Sequence, residues 1–276
     1  MNETHDSEKE DQALNERLAR IKNTLLVMSG KGGVGKTSVA VNVAFSLASQ
    51  GYAVGILDVD LHGPNVAKML GIEKEKVVVA QGMIEPIPVL PDLKAVSLAL
   101  FGYDPDKPVI WRGPLKMGAI KQLLVEVNWG DLDFLIVDAP PGTGDEPLSI
   151  CQLIPTISGV IIVTTPQDVA VLDSRKSIFF ARELNVPIVG VIENMSGFDC
   201  PHCGKKIDLF GTGGGRKAAE SLNVPFLGAI PLEPEMVALA DGGKPCVQYL
   251  KDSPAQGALR SITGRVIQFT EAVKKE

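Results

Sequence analysis

A glycine-rich segment containing two lysines lies between a short apolar run and a helical pattern near the start of the chain. It matches the phosphate-loop pattern G-x-x-x-x-G-K-[ST], and we assign to a nucleotide site Gly30, Lys31, Gly32, Gly33, Val34, Gly35, Lys36, Thr37 and Ser38. The N–H groups of such a turn point at phosphate oxygens, and the helix that follows adds its positive N-terminal end. Lys36 is expected to neutralise the β- and γ-phosphates of ATP, and the Thr37 hydroxyl is expected to bind Mg²⁺.

Acidic residues at the ends of two apolar runs are candidates to complete this site. Asp58 and Asp60 end one run, and Asp138 ends another. We interpret Asp138 as the Walker B carboxylate on the Mg²⁺ side, Asp60 as the residue that orients the attacking water, and Asp58 as a supporting group near the metal. Strand-end aspartates also cap turns, so a purely structural role for Asp58 and Asp60 stays open. Residues 139–146 have the composition of a loop that changes conformation with the bound phosphate.

A Cys-x-x-Cys pair, Cys200 and Cys203, is the third chemical feature of the sequence. Zinc and iron–sulfur clusters normally bind four protein ligands, so one pair is half of a site. Cys151 and Cys246 could complete it, but they lie in unrelated segments, and two copies of the pair in a homodimer complete it more simply. A structural zinc site, a redox dithiol and two unreactive cysteines are the alternatives.

The elements that must position these residues follow from short β-branched runs that alternate with longer amphipathic stretches. This pattern is typical of an α/β fold with a mostly parallel, twisted sheet and helices on both faces. The predicted strands are 24–29, 53–58, 95–99, 134–138, 159–164, 188–193 and 225–230. The predicted helices are 11–23, 36–49, 115–127, 146–153, 169–184, 215–222, 235–241 and 258–273. Glycine and prolines interrupt the pattern over 77–91, which predicts an irregular hairpin at the sheet edge.

Length and composition favour one large folded unit. Hydrophobic residues make up 45% of the 276 residues and charged residues 22%, as is ordinary for a globular protein. We expect residues 1–20 to be a polar tail and the start of the first helix, and 21–276 to be a single P-loop ATPase domain. This domain would include the cysteine loop, at about 194–211, and the C-terminal helix.

Charge and hydropathy exclude several classes of partner. The formal net charge of -6 argues against the broad basic face that nucleic-acid binding requires. No stretch approaches the roughly 20 apolar residues that span a bilayer, and the polar N-terminus lacks the pattern of a secretory signal. We therefore expect a cytoplasmic protein with no nucleic-acid or membrane partner.

The segment from Lys31 to Thr37 resembles the signature of the deviant Walker A ATPases, which include the Min and Par partitioning proteins and the nitrogenase iron protein. The resemblance implies a P-loop NTPase fold. It also implies a nucleotide-sandwich homodimer in which Lys31 reaches the partner's nucleotide, as an arginine finger does elsewhere. The residues that we expect to act in catalysis are therefore Lys31, Lys36, Asp60 and Asp138.

From about residue 21 to 240, the chain resembles more particularly the Mrp/ApbC group of iron–sulfur carrier ATPases. Four segments beyond the phosphate loop carry this resemblance: 58–65, 138–146, 193–196 and 200–203. The resemblance implies that Cys200 and Cys203 of each subunit bridge a [4Fe–4S] cluster and that Asn194 contacts adenine. Residues 1–22 contain no cysteine, so we expect a simple homodimer without a second permanent cluster.

Three hypotheses for function follow. The leading one is a slow ATPase that holds a labile cluster between subunits and transfers it to apo iron–sulfur proteins. The second is a partitioning or positioning ATPase of the Min/Par kind, which the cysteine pair and the lack of a basic face disfavour. The third is a nucleotide switch with a structural zinc ion.

Overall fold

Short apolar segments form the strands of a sheet that runs through the protein. The computed structural model describes residues 12, 14–60, 63–101, 113–154, 156–200 and 202–273. Its strands are β1 (Thr24–Ser29), β2 (Val54–Asp58), β3 (Val78–Ala80), β4 (Met83–Glu85), β5 (Ile87–Leu90), β6 (Leu93–Ser97), β7 (Phe134–Asp138), β8 (Gly159–Thr164), β9 (Ile188–Glu193), β10 (Phe198–Asp199), β11 (Lys206–Ile207) and β12 (Phe226–Ala229).

Eight of these strands form one sheet in the order β12-β9-β8-β1-β7-β2-β6-β5. All neighbours in it are parallel except β5 and β6, which pair antiparallel at one edge. Every residue of β1, β2, β7 and β8 is buried, as expected of central parallel strands that helices cover on both faces. The predicted α/β fold with a mostly parallel sheet is confirmed.

Helices cover both faces of this sheet. They are α1 (Lys36–Ala48), α2 (Val66–Met69), α3 (Gly113–Glu126), α4 (Asp145–Leu153), α5 (Asp168–Glu183), α6 (Gly214–Ser221), α7 (Pro234–Asp241), α8 (Cys246–Tyr249) and α9 (Pro254–Val273). One core is built mainly by α1, α2, α8 and α9, and the other mainly by α3, α4, α5 and α6. Within the described ranges, no helix has the length and apolar character that crossing a membrane requires.

The first helix differs from its prediction. Residues 14–18 are helical, but Ile21 forms a parallel bridge with Leu132, and the N–H of Lys22 donates to the Leu132 carbonyl. Backbone groups that bond to the sheet cannot also continue a helix. The predicted helix over 11–23 therefore ends early, and the predicted polar tail lies largely outside the described residues.

The irregular hairpin predicted over 77–91 is present at the sheet edge. β3 and β4 form a separate two-stranded ribbon, and β5 joins the sheet. The short helices α2 and α8 and the ribbon of β10 and β11 were not predicted. Each is too short to show a hydrophobic period of its own.

Candidate functional site

The phosphate loop joins β1, in the middle of the sheet, to the start of α1. Gly35 immediately precedes the helix in a left-handed conformation, with φ of 84°, which glycine adopts without steric cost. A Cβ atom at this position would also lie 2.2 Å from Nδ2 of Asn194. Both the backbone angle and the close approach thus require glycine, and the resulting turn leads into the helix N-terminus as a phosphate site needs.

Gly30, at the other end of the loop, is required for a different reason. A Cβ atom there would lie 2.2 Å from the backbone carbonyl carbon of Asp173 in α5. By contrast, a Cβ at Gly32 would meet no atom within 4 Å. The loop is therefore anchored against α5 where it begins and open in its middle. The sequence interpretation had attributed the loop's glycines to phosphate binding alone.

Lys36 is the centre of a largely buried polar cluster at the start of α1. Its Nζ forms an ion pair with Oδ1 of Asp138 at 2.7 Å, and Oδ2 of Asp60 lies 3.7 Å from the same nitrogen. The Thr37 hydroxyl donates to the other oxygen of Asp138 at 2.7 Å. The fold thus brings together four predicted residues from three separate segments. A hydroxyl and a carboxylate side by side are hard oxygen ligands that fit Mg²⁺.

Asp58 binds the chain around it with both carboxylate oxygens. Oδ1 accepts a hydrogen bond from the N–H of Asp60 at 3.1 Å. Oδ2 accepts from the N–H of Val66 at 3.1 Å and from the Ser97 hydroxyl at 3.0 Å. Asp58 therefore fixes the segment that carries Asp60 and the start of α2. This is the structural role that the sequence left open, and a role near the metal stays a prediction.

Burial raises the pKa of both strand-end aspartates. It raises the pKa of Asp58 to about 8, and the charge of Asp138 adds to the effect. The pKa of Asp138 is also raised by burial, although the Lys36 ammonium acts in the opposite direction. Ionised carboxylates in such a region are stabilised by nearby cations. When bound, Mg²⁺ would supply further positive charge beside Thr37 and Asp138 and would help to neutralise the phosphates.

The predicted switch over 139–146 leaves the sheet at the same edge. The N–H of Gly142 donates to the Ser29 carbonyl at 2.7 Å, which joins this loop to the end of β1. The helix α4 then begins at Asp145. Leu61 and His62, in the segment that follows Asp60, lie outside the described residues. A change of conformation with the bound nucleotide stays a prediction for both segments.

Cys200 and Cys203 lie in the tight turn between β10 and β11, which we call the cysteine hairpin (residues 198–207). The strands pair antiparallel. The N–H of Cys200 donates to the carbonyl of Lys205 at 3.0 Å, and the N–H of Gly204 donates back to the carbonyl of Cys200 at 2.8 Å. Cys203 is exposed and Cys200 is half-buried. The hairpin therefore presents a thiol pair at the molecular surface.

The thiol chemistry of the hairpin differs from that of the other cysteines. Hydrogen bonds from the N–H groups of His202 and then Cys203 lower the pKa of the Cys200 thiol. The thiolate is the form that binds metals. Burial instead raises the pKa of Cys151 to about 11 and that of Cys246 to about 12. The lowered pKa therefore makes Cys200 better suited to bind a metal than Cys151 or Cys246.

Cys246 has a structural partner of its own. Its Sγ lies 3.1 Å from Oδ1 of Asn42, which also accepts a hydrogen bond from the N–H of Val247 at 2.9 Å. A protonated thiol can donate to this oxygen, whereas a thiolate cannot. The arrangement joins α8 to α1 and explains why Cys246 is buried.

The cysteine hairpin offers two potential metal ligands. Over the residues that the structure covers, which leave out Pro201 of the cysteine motif, no group of three or more His, Cys, Asp or Glu side chains is placed to hold a metal ion. A tetrahedral metal site takes four ligands, so within the described ranges the two hairpin thiols amount to half of such a set.

Lys31 and Asn194 were given roles through family resemblance. Lys31 is half-buried, and its carbonyl accepts a hydrogen bond from the Ser29 hydroxyl at 2.9 Å. Asn194 is buried, and its Nδ2 donates to the carbonyl of Val34 at 2.9 Å. Asn194 therefore stabilises the phosphate loop through a hydrogen bond to its backbone. Its contact with adenine, and the action of Lys31 on a partner's nucleotide, stay predictions.

Glu193 is a buried residue that lies in the resemblance segment 193–196 but was given no role of its own from the sequence. Its carboxylate, at the end of β9, accepts hydrogen bonds from the Ser196 hydroxyl and from the N–H groups of Gly213 and Gly215, at 2.8 and 2.6 Å for the glycines. The available signal was an acidic residue at the end of an apolar strand, followed later by the glycine-rich segment 211–215.

The fold and this site define a class of protein. A phosphate loop between the central strand of a parallel sheet and a helix, with a second lysine at position 31 and a Walker B aspartate, is the arrangement of the deviant Walker A P-loop NTPases. The sequence profile described as ParA, NUBPL iron-transfer P-loop NTPase, matches residues 20–267. The chain belongs to this family.

Relatives and solved structures agree with this assignment. A Methanocaldococcus jannaschii protein named iron-sulfur cluster carrier protein is 48% identical over 96% of this chain and 91% of its own length. A Pyrococcus horikoshii protein of the same name is 47% identical over 96% and 92%. A nucleotide-binding protein from Archaeoglobus fulgidus, solved in complex with ADP, has a TM-score of 0.75 and 37% identity and covers 85% of this chain and 92% of that one.

Cell-division ATPases share the fold. The MinD structure from Pyrococcus furiosus has a TM-score of 0.64 and covers 89% of this chain and 98% of its own, but it is only 21% identical. This likeness supports the architecture of the sheet and helices and does not extend to a cellular role.

Proposed function

We propose that this protein is an ATP-hydrolysing carrier that binds a labile [4Fe–4S] cluster between two subunits and transfers it to apo iron–sulfur proteins. The observation that carries the proposal is the cysteine hairpin. It offers two accessible thiols on a P-loop NTPase, one of them with a lowered pKa, and no third ligand accompanies them in the described parts of the chain.

Two copies of the hairpin would supply the four thiolates that a [4Fe–4S] cluster takes. A symmetric dimer places identical surfaces opposite each other, so a surface pair near the two-fold axis meets its own copy. Exposure of Cys203 suits a cluster that is released, because a carrier must let the recipient's thiols reach the iron.

The nucleotide side of the proposal assigns a role to each polar residue of the buried cluster. Lys36 neutralises the β- and γ-phosphates, and Thr37 and Asp138 hold Mg²⁺. Asp60, 3.7 Å from Lys36, orients the attacking water. Lys31 of each subunit acts on the nucleotide of its partner. Hydrolysis would then be linked to dimer formation, which is also what completes the cluster site.

The names of the relatives support the cargo. Proteins that share almost half of their residues with this chain over nearly its whole length are named iron-sulfur cluster carriers.

The test is anaerobic reconstitution with iron and sulfide, followed by measurement of iron, sulfide and zinc per chain and of the molecular mass in solution. We expect about four irons per dimer, and loss of this iron in Cys200→Ser and Cys203→Ser, because serine replaces a soft thiolate with a hydroxyl that rarely ionises. Cys151→Ser is the matched control, since this thiol lies in α4 and its pKa is raised by burial. It should keep the iron.

Two outcomes would favour the other functions. A parent protein that takes up only zinc, with the zinc lost in Cys203→Ser, would make the chain a nucleotide switch with a structural metal. A parent that binds neither metal but still dimerises with ATP would leave a positioning ATPase of the Min/Par kind.

A further inference from the structure

Glu193 closes the base of the loop that carries the cysteine hairpin. Its three hydrogen-bond donors lie on both sides of this loop in the sequence: Ser196 precedes the hairpin, and Gly213 and Gly215 follow it. The side chain is only 1% exposed. Since a buried carboxylate is costly unless it is satisfied, these bonds hold both ends of the loop together at one point.

The same carboxylate lies at the start of α6. Gly213 is the residue that precedes this helix, and Gly215 belongs to its first turn. Free N–H groups and the positive end of a helix both favour a negative charge at that position. The negative charge on Glu193, and not only its shape, therefore contributes to holding the loop.

The next residue along the chain holds the phosphate loop. Asn194 donates to the Val34 carbonyl at 2.9 Å, and Gly35 packs directly against its amide. Its backbone N–H donates to the Thr164 carbonyl at 2.8 Å, which fixes it to the end of β8. Two adjacent buried side chains at the end of β9 thus bind the two loops that the proposed function needs to connect.

We propose that Glu193 is a positioning residue that, together with Asn194, couples the phosphate loop to the cysteine hairpin. When nucleotide fills the phosphate loop, any shift at Val34 and Gly35 acts on Asn194. Because Asn194 is joined to Glu193 by one peptide unit, the shift reaches Ser196, Gly213 and the hairpin between them. The coupling gives a physical route for the carrier function proposed above, but it is a property of the metal-free chain and is measured there.

The experiment measures how fast iodoacetamide alkylates Cys200 and Cys203 in metal-free protein, with and without saturating Mg·ATP, by peptide mass mapping. We expect nucleotide to change these rates by at least about fivefold in the parent, the lower range of coupling between sites. In Glu193→Gln the ratio should fall towards one, while ATP affinity stays within about threefold. In the glutamine amide an NH₂ group replaces one of the two carboxylate oxygens. In either orientation this NH₂ group, itself a donor, faces a hydrogen-bond donor that the carboxylate had bound.

Two further variants and an internal reference make the result decisive. Glu235→Gln removes an exposed acid from the first turn of α7 and should keep the parent's ratio. Ser196→Ala removes a single bond to Glu193 and should lower the ratio by at least about half, which provides the test if Glu193→Gln does not fold. The Cys246 peptide is the internal reference for a buried thiol within each sample.

An unchanged ratio in Glu193→Gln and Ser196→Ala would overturn the proposal, as would a parent whose cysteines do not respond to nucleotide. These outcomes are separate from those of reconstitution. A protein that binds no iron but shows a Glu193-dependent ratio would refute the carrier function and keep the coupling. Normal iron uptake with an unchanged ratio would refute the coupling and keep the carrier function.

Discussion

The role proposed for Lys36 gives this residue two competing sets of partners. It pairs with the buried Asp138 at 2.7 Å and lies 3.7 Å from Asp60, so nucleotide phosphates that bind Lys36 would have to replace these carboxylates. Mg²⁺ would compensate the negative charge of Asp138 once the Lys36 ammonium pairs with phosphate, so the binding of ATP together with Mg²⁺ would be favoured. Affinity for the nucleotide should therefore depend strongly on Mg²⁺.

Removing this lysine should abolish most of the nucleotide affinity. We expect Lys36→Ala to weaken Mg·ADP binding by about 10- to 100-fold, the range of a lost charged hydrogen bond. Titration calorimetry measures the affinity, and circular dichroism checks the fold, since the change also leaves Asp138 without its ion pair. Lys31→Ala is the control and should bind within a few-fold of the parent. Parent-like binding by folded Lys36→Ala protein would refute the assignment.

The lowered pKa of the Cys200 thiol predicts a distinct pH dependence. The thiolate is the reactive form, so alkylation of Cys200 should reach half of its maximal rate at a lower pH than an ordinary cysteine. At the pH where the alkylation rate of Cys200 reaches its maximum, Cys151, with a pKa raised by burial to about 11, should still react far below its own maximal rate. The measurement is the iodoacetamide rate of each peptide from about pH 6 to about pH 10 in metal-free protein. Equal midpoints for the two cysteines would contradict the hydrogen bonding of the hairpin.

At the scale of elements, the contact between α5 and the phosphate loop leads to a matched pair of variants. In Gly30→Ala the new methyl group must displace the backbone at Asp173, so we expect the free energy of unfolding to fall by about 1–3 kcal/mol or more. Gly32→Ala adds the same methyl group where no atom lies within 4 Å, and it should change stability by less than about 0.5 kcal/mol. Urea unfolding without nucleotide measures both. Equal losses would show that loop flexibility, and not packing on α5, governs the result.

The elements divide clearly into those that the sequence predicts and those that it does not. The strands β1, β7, β8 and β9 were predicted to the residue, because continuous apolar runs between turn residues suit a sheet that is buried on both faces. The helix predicted over 11–23 was too long, since its apolar spacing continues past the point where Ile21 joins Leu132. Only the tertiary partner determines where that helix ends.

Within the site, residues whose partners are side chains could be predicted from the sequence, whereas a residue whose partners are mainly backbone groups could not. Lys36, Thr37 and Asp138 lie together in the structure. The sequence could predict this because the phosphate-loop and Walker B patterns are defined by side chains that meet at one edge of the sheet. Glu193 was missed because two of its three partners are backbone N–H groups some twenty residues away, which leave no trace in the types of side chain. Hydrogen bonds to the main chain are the part of a site that motifs describe least.

At the scale of the whole molecule, the proposed dimer predicts complementation between defective chains. Lys31→Ala and Asp60→Asn chains should each have little ATPase activity alone. A mixed dimer contains one intact site, in which the Lys31→Ala chain supplies Asp60 and its partner supplies Lys31. With random pairing, about a quarter of the parent's activity should return on mixing, as measured by phosphate release.

The control mixture separates action across the interface from action within one chain. Lys36→Ala mixed with Asp60→Asn leaves a defect in both sites of every dimer, because both residues serve the nucleotide bound to their own chain. This mixture should stay inactive. No recovery in the Lys31→Ala mixture, despite mixed dimers seen by mass spectrometry, would remove the support for Lys31 acting on the partner's nucleotide.

The position of β1 has a consequence for how the protein is made. This strand is the first of the sheet to leave the ribosome, yet its neighbours in the finished sheet are β7 and β8, which begin at Phe134 and Gly159. Until β7 has emerged, the strand that leads into the phosphate loop has no hydrogen-bonded neighbour in the sheet, and its other edge stays unpaired until β8 follows. Pairings between such distant segments form slowly. A nascent chain that stops before Thr164 therefore leaves one edge of this apolar strand unpaired and lacks a stable ATP site, so nucleotide can stabilise the newborn protein only after β8 has been translated.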